Sequence, residues 1–170
     1  RKLLGNTAVP TATRLRLANA LVFAKGDYGA ATWPDLTSRE AARHHGAHLR
    51  VFRTVAGQER WKGAGSGSDA SVLAALGALL PRMQRLVARV SLFVRAVSGG
   101  HCQLLWVLAL GLRAKRSWLR TIMDDLAWLA SLDSPLAQYR VGGFSGWCRV
   151  MADQPKKVMQ AIKLAVKAAS

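Results

Sequence analysis

Apolar residues recur at steps of three and four along much of this chain, a spacing that predicts amphipathic helices. Residues 81–97 show it most clearly, with one apolar stripe made of Met83, Leu86, Val87, Val90, Phe93, Val94 and Val97. Pro81 suits the first turn of this predicted helix, where its missing N–H needs no partner. Arg82, Arg85 and Arg89 recur at the same period, so we expect them on an exposed basic face without a compensating carboxylate.

Start and stop signals predict two helices in the first third of the chain. The first follows Pro10 and ends by Pro34. The second begins at Thr37 or Ser38, with Glu40 placed to complete a capping box, and Gly57 ends it.

Later signals predict further helices. Asp69 is the expected N-cap of a helix that runs toward Pro81. This helix, the break at Pro81 and helix 81–97 have the topology of helix-turn-helix DNA-binding motifs, but structural helical hairpins have the same topology. The apolar run 104–112 predicts a buried core helix, since it is much shorter than the roughly 20 residues of a membrane span. Ser117 opens another helix, residues 139–147 with three glycines predict an irregular loop, and residues 156–169 predict a final basic helix.

These elements predict an all-α fold, an irregular bundle of about five to seven helices with a Gly/Ser-rich joint near residues 63–68. The expected divisions are an N-terminal helical pair at 1–62, the flexible joint at 63–68, a helical core at 69–132 and a loop with the basic C-terminal helix at 133–170. We find no internal repeat and no convincing pair of strands.

The charge of the chain gives the first indication of its function. The net charge is +16, and no Asp or Glu lies between Asp69 and Asp124. An excess of this size favours a polyanionic partner: nucleic acid, an anionic membrane surface or an RNA-rich assembly. The basic residues that we expect to contact nucleic acid are Arg82, Arg85, Arg89, Arg113, Lys115, Arg116, Arg120, Lys156, Lys163 and Lys167.

Three segments together resemble the region that follows the polymerase palm in non-LTR (LINE-type) retrotransposon reverse transcriptases. They are residues 3–33, with Leu4-Gly5 and the Tyr28-Gly-Ala-x-x-Trp33 block; residues 39–57, with Leu49-Arg50 and Gly57; and the arginine-rich residues 72–97. The resemblance implies a thumb and C-terminal extension that grip a primer–template duplex or element RNA. The palm carboxylates of that family are absent from this sequence, so the resemblance implies no polymerase activity for this chain alone.

Other residue types suggest little chemistry. Asp124 and Asp125 follow Met123 as in the family's catalytic turn, but adjacent positions within a helix diverge by about a hundred degrees, so we expect surface charge. His44 and His48 are spaced to share a metal on one helix face, with His45 beside them. No carboxylate follows at the next turn, so we predict neither a metal nor any other cofactor.

The solitary cysteines Cys102 and Cys148 indicate buried free thiols rather than a disulfide or a zinc module. Trp61, between Arg60 and Lys62, is the tryptophan expected to stack on bases.

The sequence therefore predicts a non-enzymatic, nucleic-acid-binding helical module, with RNA favoured over DNA and without a prediction of sequence selectivity. The alternative is a structural subunit of a larger assembly, an organellar ribonucleoprotein or a membrane complex, that makes mainly protein contacts. Peripheral contact of the basic C-terminal helix with an anionic membrane is a further alternative. The chain starts at Arg1 without Met, which suggests a processed product or a piece of a longer protein. The sequence does not decide the compartment; the functions that it predicts belong inside the cell, in the nucleus or an organelle.

Overall fold

The computed structural model describes residues 3–57, 67–100, 102–114, 117–132, 135–139 and 142–169, and this part of the chain is all-α, without a strand. The predicted fold class is confirmed. The helices fall into two compact units. Unit 1 comprises Arg1–Tyr28 and Thr37–Arg82, and unit 2 comprises Gly29–Leu36 and Met83–Ser170. Of the predicted joint, residues 63–66 lie outside the described residues.

Unit 1 begins with one continuous helical segment that changes its pitch. Helix α1 (Thr11–Ala18) passes into a π-helical segment, Asn19–Phe23, and then into the short helix α2 (Ala24–Gly26). Asp27 is the C-cap of α2. A π-helical segment holds an extra residue in a wide turn, so it shifts the direction in which the following side chains point.

Helix α3 (Ser38–Ala56) begins and ends where the sequence predicts. The Thr37 hydroxyl accepts the Glu40 backbone N–H at 3.3 Å, and the Glu40 carboxylate accepts the Thr37 N–H at 2.9 Å, which completes the capping box. Gly57 closes the helix with a φ of +74°, a left-handed conformation that glycine adopts without steric cost.

Helix α4 (Asp69–Leu76) packs against α3 in unit 1, whereas the sequence division placed it with the later core. Its N-cap is Ser68, so the prediction that Asp69 caps the helix is wrong. Asp69 instead accepts a hydrogen bond from the buried Arg53 of α3 at 2.6 Å. The apolar core of the unit consists of Ala18, Phe23, Leu49, Phe52, Val55, Val72 and Leu73.

Unit 2 contains the later helices. They are α5 (Pro81–Ser98, whose first two residues fall in unit 1), α6 (Cys102–Gly111), α7 (Trp118–Ser131), a 3₁₀-helix (Pro135–Tyr139), α8 (Gly143–Asp153) and α9 (Pro155–Ala168). The prediction of an irregular loop over 139–147 is wrong, because α8 starts within it. Phe144, Trp147 and Met151 keep helical spacing despite the neighbouring glycines, and Trp147 and Met151 are buried.

The stripe of α5 forms much of the core of unit 2. Leu86, Val90 and Phe93 are fully buried, as are Leu119, Ile122 and Leu126 of α7. Ser117 accepts the Arg120 backbone N–H and caps α7 as predicted. Within the described residues, every helix is too short or too polar to cross a bilayer.

Helix α6 differs from its prediction as a buried core helix. Trp106 is 67% exposed and Val107 is 58% exposed, and Leu104 and Leu110 are also exposed. Helix α6 does pack against α7, but this leaves part of its apolar surface uncovered. A run that is apolar all round indicates burial on every side only if partners surround it, and the described residues of this chain do not surround α6.

Candidate nucleic-acid interface

The arginines of α5 do not form the exposed face that the sequence predicts. Arg82 is exposed, but Arg85 and Arg89 are buried, with 8% and 4% of their surface accessible. Arg89 donates from Nη2 and Nε to a single oxygen, Oδ2 of Asp125, at 2.6 and 3.1 Å. The predictions that Arg85 and Arg89 are exposed and that no carboxylate compensates this face are therefore wrong.

The geometry of the helix explains the burial of Arg89. Arg89 lies about 40° around the helix axis from Phe93 and about 60° from Leu86, so a neighbour that covers those residues also covers the arginine. A buried guanidinium requires a partner, and Asp125 on α7 supplies it. Asp125 is consequently not the surface charge that the sequence predicts, whereas its neighbour Asp124 is exposed.

Of the other residues from the end of α6 to the first turn of α7 that we predicted to contact nucleic acid, and of the predicted stacking residue Trp61, some are exposed and some lie outside the described residues. Arg113, after α6, and Arg120, on α7, are exposed as a binding role requires. Lys115, Arg116 and Trp61 lie outside the described residues.

Helix α9 carries the basic line that faces solvent. Lys156, Lys163 and Lys167 are all exposed, and they lie within about 40° of one another around the helix axis. The opposite side buries Val158, Ile162 and Ala165. The helix has no acidic residue, and none of the lysines has an ion-pair partner among the described residues. Three positive charges therefore project from one packed helix.

A second exposed basic line lies on α3, and the sequence reasoning missed it. Arg39, Arg43 and Arg50 are exposed and lie within about 40° of one another on the helix. Their spacing of four and then seven residues was the available signal. The histidines His44 and His48 lie on the other side of the same helix.

Those histidines meet a carboxylate from outside their helix. His44 Nε2 lies 2.7 Å from Oδ1 of Asp27, and His48 Nε2 lies 2.9 Å from Oδ2 of the same side chain. Sequence reasoning searched only one turn further along α3, whereas this carboxylate comes from 17 residues upstream of His44. The packing of α1 against α3 within unit 1 is what places the end of α2 near the two rings.

The thiol of Cys148 on α8 is partly buried and free. Burial raises the pKa of the Cys148 thiol, because a thiolate is poorly solvated there. The thiol is therefore protonated and weakly nucleophilic at neutral pH, which gives no support to cysteine chemistry at this position.

Comparison with known proteins finds no family model, no curated protein and no solved structure that matches this chain.

Proposed function

We propose that this chain is a non-catalytic nucleic-acid-binding module that contacts phosphates through the lysine line of α9. The observation that carries the proposal is that Lys156, Lys163 and Lys167 are exposed together on one face of a helix without an acidic residue. Arg113 and Arg120 are exposed basic residues of the same unit and add to its positive charge.

The dimensions of the lysine line suit a nucleic acid backbone. Lys156 and Lys167 are 11 residues apart, which corresponds to about 17 Å along a helix. That length matches about five base-pair steps of a duplex. Flexible ammonium groups contact phosphates as point charges and carry no base information. Binding should therefore depend strongly on salt and little on sequence.

The resemblance to the post-palm region of LINE-type reverse transcriptases supports RNA, or an RNA–DNA duplex, as the ligand. That region grips nucleic acid in the resembled family without performing chemistry. The same resemblance is the reason to test an RNA–DNA duplex beside RNA and DNA.

The test is a titration of the full chain into fluorescently labelled RNA, DNA and RNA–DNA duplexes at several salt concentrations. The variant K156Q/K163Q/K167Q removes three charges from α9. We expect the slope of log affinity against log salt to become shallower by about 3, because each duplex phosphate contact contributes roughly 0.9. Fluorescence anisotropy measures both affinity and slope.

A charge-matched control comes from α3. The variant R39Q/R43Q/R50Q removes the same number of exposed charges from the other basic line. If only this variant changes the slope, the assignment to α9 is overturned and the interface lies on α3. If the wild-type chain binds none of the three nucleic acids, or binds them independently of salt, the proposed function itself is overturned.

The exposed apolar surface of α6 favours a second candidate function, a structural subunit of a larger assembly. Trp106 and Val107 are more than half exposed, and large apolar patches on a folded surface often mark protein contacts. Stable subunits that co-purify with the native protein, together with an absence of nucleic acid binding, would decide for this alternative.

A further inference from the structure

We infer that Asp27, His44 and His48 form a binding site for a divalent transition metal, with Zn²⁺ as the best-suited ion. One ligand atom of each of the three side chains lies within 4.8 Å of the others. All three residues belong to unit 1, so the site is complete within one compact unit. The inference is independent of the proposed contact between α9 and nucleic acid.

The hydrogen bonding of His48 fixes which ring nitrogen is available. Its Nδ1 lies 3.0 Å from the backbone carbonyl oxygen of His44, so Nδ1 carries the hydrogen and donates it. In the neutral ring Nε2 then presents a lone pair, and this lone pair points at a carboxylate oxygen of Asp27. A positive charge at Nε2, a proton or a metal ion, makes that contact attractive.

This arrangement is the one that metal-binding histidines usually show. Such a histidine donates its other ring N–H to a carbonyl or carboxylate, which fixes the tautomer and orients the ring. In His48 the donor is Nδ1, the acceptor is the carbonyl one helical turn earlier, and the nitrogen on the side of Asp27 is Nε2.

Packing holds the His48 ring in place before any metal arrives. The ring stacks on Phe23 with a centroid distance of 4.6 Å and an angle of 5° between the planes. Its side chain is 5% exposed, whereas the Asp27 side chain is 22% exposed. The deep ligand is thus rigid and the shallow ligand lies near solvent, which leaves a route for an ion and a water.

The donor set selects the class of metal. Two imidazole nitrogens and one carboxylate oxygen suit Zn²⁺ and its neighbours Co²⁺ and Ni²⁺, whereas Mg²⁺ and Ca²⁺ prefer oxygen ligands throughout. With three protein ligands, a tetrahedral zinc ion has a fourth position, which a water occupies.

Binding requires a small adjustment. Two ligands at normal zinc distances in a tetrahedral site are about 3.3 Å apart, and the N–O separations here are 2.7 and 2.9 Å. These separations involve the two different oxygens of one carboxylate, so the Asp27 side chain must rotate away from the rings until the oxygen that binds the ion lies at bonding distance from it, and its side-chain bonds allow that rotation.

The backbone supports this interpretation. The π-helical segment Asn19–Phe23 ends at the residue that stacks on His48, and the ligand Asp27 follows four residues later. Single wide turns of this kind occur frequently at functional sites. The segment ends at the residue that stacks on His48, and it leads to the carboxylate that contacts both imidazoles.

The test uses the full chain without a purification tag, treated with a chelator and dialysed. Zn²⁺ affinity is measured by competition with a chromophoric chelator, and Co²⁺ is added separately for its visible absorption. We expect the wild-type chain to bind one Zn²⁺. Both D27N and H44Q should weaken Zn²⁺ affinity by about 100-fold. Loss of a residue that only hydrogen-bonds to a metal ligand already weakens metal affinity by about 10- to 100-fold, so loss of a ligand itself should reach the upper end of that range.

The matched control is H45Q, since His45 neighbours His44 on α3 and is not one of the three clustered ligands. H45Q should bind Zn²⁺ as the wild-type chain does. Bound Co²⁺ should give the visible bands of a four-coordinate ion without a thiolate charge-transfer band, which separates this site from any site at Cys102 or Cys148.

Circular dichroism of each variant establishes whether it is folded. One folded variant, either D27N or H44Q, suffices for the comparison of Zn²⁺ affinity with the wild-type chain. The inference is overturned if the folded wild-type chain binds no Zn²⁺ or gives a thiolate band with Co²⁺. It is also overturned if a folded D27N or H44Q chain keeps the wild-type Zn²⁺ affinity, or if H45Q lowers Zn²⁺ affinity as much as D27N and H44Q do. In those cases Asp27 and the histidines form a hydrogen-bonded cluster only.

Discussion

Helices α5 and α9 each combine an apolar stripe with basic residues at helical spacing, and from sequence they predict the same kind of surface. In the structure Arg89 of α5 is buried against Asp125, whereas Lys156 and Lys167 of α9 are exposed. Buried positions after Pro81 spread over about 180° of the circumference of α5 but over only about 140° of α9. A basic residue on an amphipathic helix therefore indicates a binding surface only when it is known how much of the helix circumference is buried.

The largest expected effect comes from breaking the ion pair of α5. The variant D125A leaves the buried Arg89 guanidinium without its carboxylate, so we expect the free energy of unfolding to fall by about 3–5 kcal/mol. Urea denaturation followed by circular dichroism measures it. D124A is the control, since Asp124 is exposed on the same turn, and it should change stability by less than about 0.5 kcal/mol. Equal losses in both variants would contradict the pairing.

A smaller effect is expected when both partners are replaced together. In R89M/D125L apolar side chains replace both members of the pair, so neither position leaves a buried charge without its partner, and stability should return to within about 1 kcal/mol of the wild-type value. The same denaturation experiment measures it. A double variant that is as unstable as D125A would mean that the two sites contribute through packing and not through their mutual charge.

The smallest effect on stability is expected on α9. The variant K156Q/K163Q/K167Q alters exposed side chains only, so its free energy of unfolding should stay within about 0.5 kcal/mol of the wild-type value. Thermal or urea unfolding measures it. A loss of several kcal/mol would show that the lysines stabilise the fold, and it would remove the contrast with α5.

Local signals predicted most of the helix boundaries. The capping box of Thr37 and Glu40, the left-handed Gly57 and the cap at Ser117 each depend on residues within a few positions of one another, so the sequence displays them directly. The loop predicted for residues 139–147 failed because three glycines were given more weight than the spacing of Phe144, Trp147 and Met151.

The contacts that decide the sites depend on residues far apart in the chain. Arg89 meets Asp125 across 36 residues, and His48 meets Asp27 across 21. Periodicity places a side chain on a face of its own helix but does not tell which helix covers that face. The predicted basic residues therefore include both buried and exposed side chains, and the third member of the histidine cluster was missed.

The wide turn at Asn19–Phe23 makes the geometry around His48 sensitive to the helical pitch of that segment. If the same residues adopted ordinary α-helical pitch, with none removed, Asp27 would rotate by about 100° around the axis, away from both imidazole rings. Every ligand would still be present in such a chain, but the three side chains would no longer meet. Substitutions between Ala18 and Asp27 that favour a regular α-helix should therefore disrupt the cluster although they change none of its ligands.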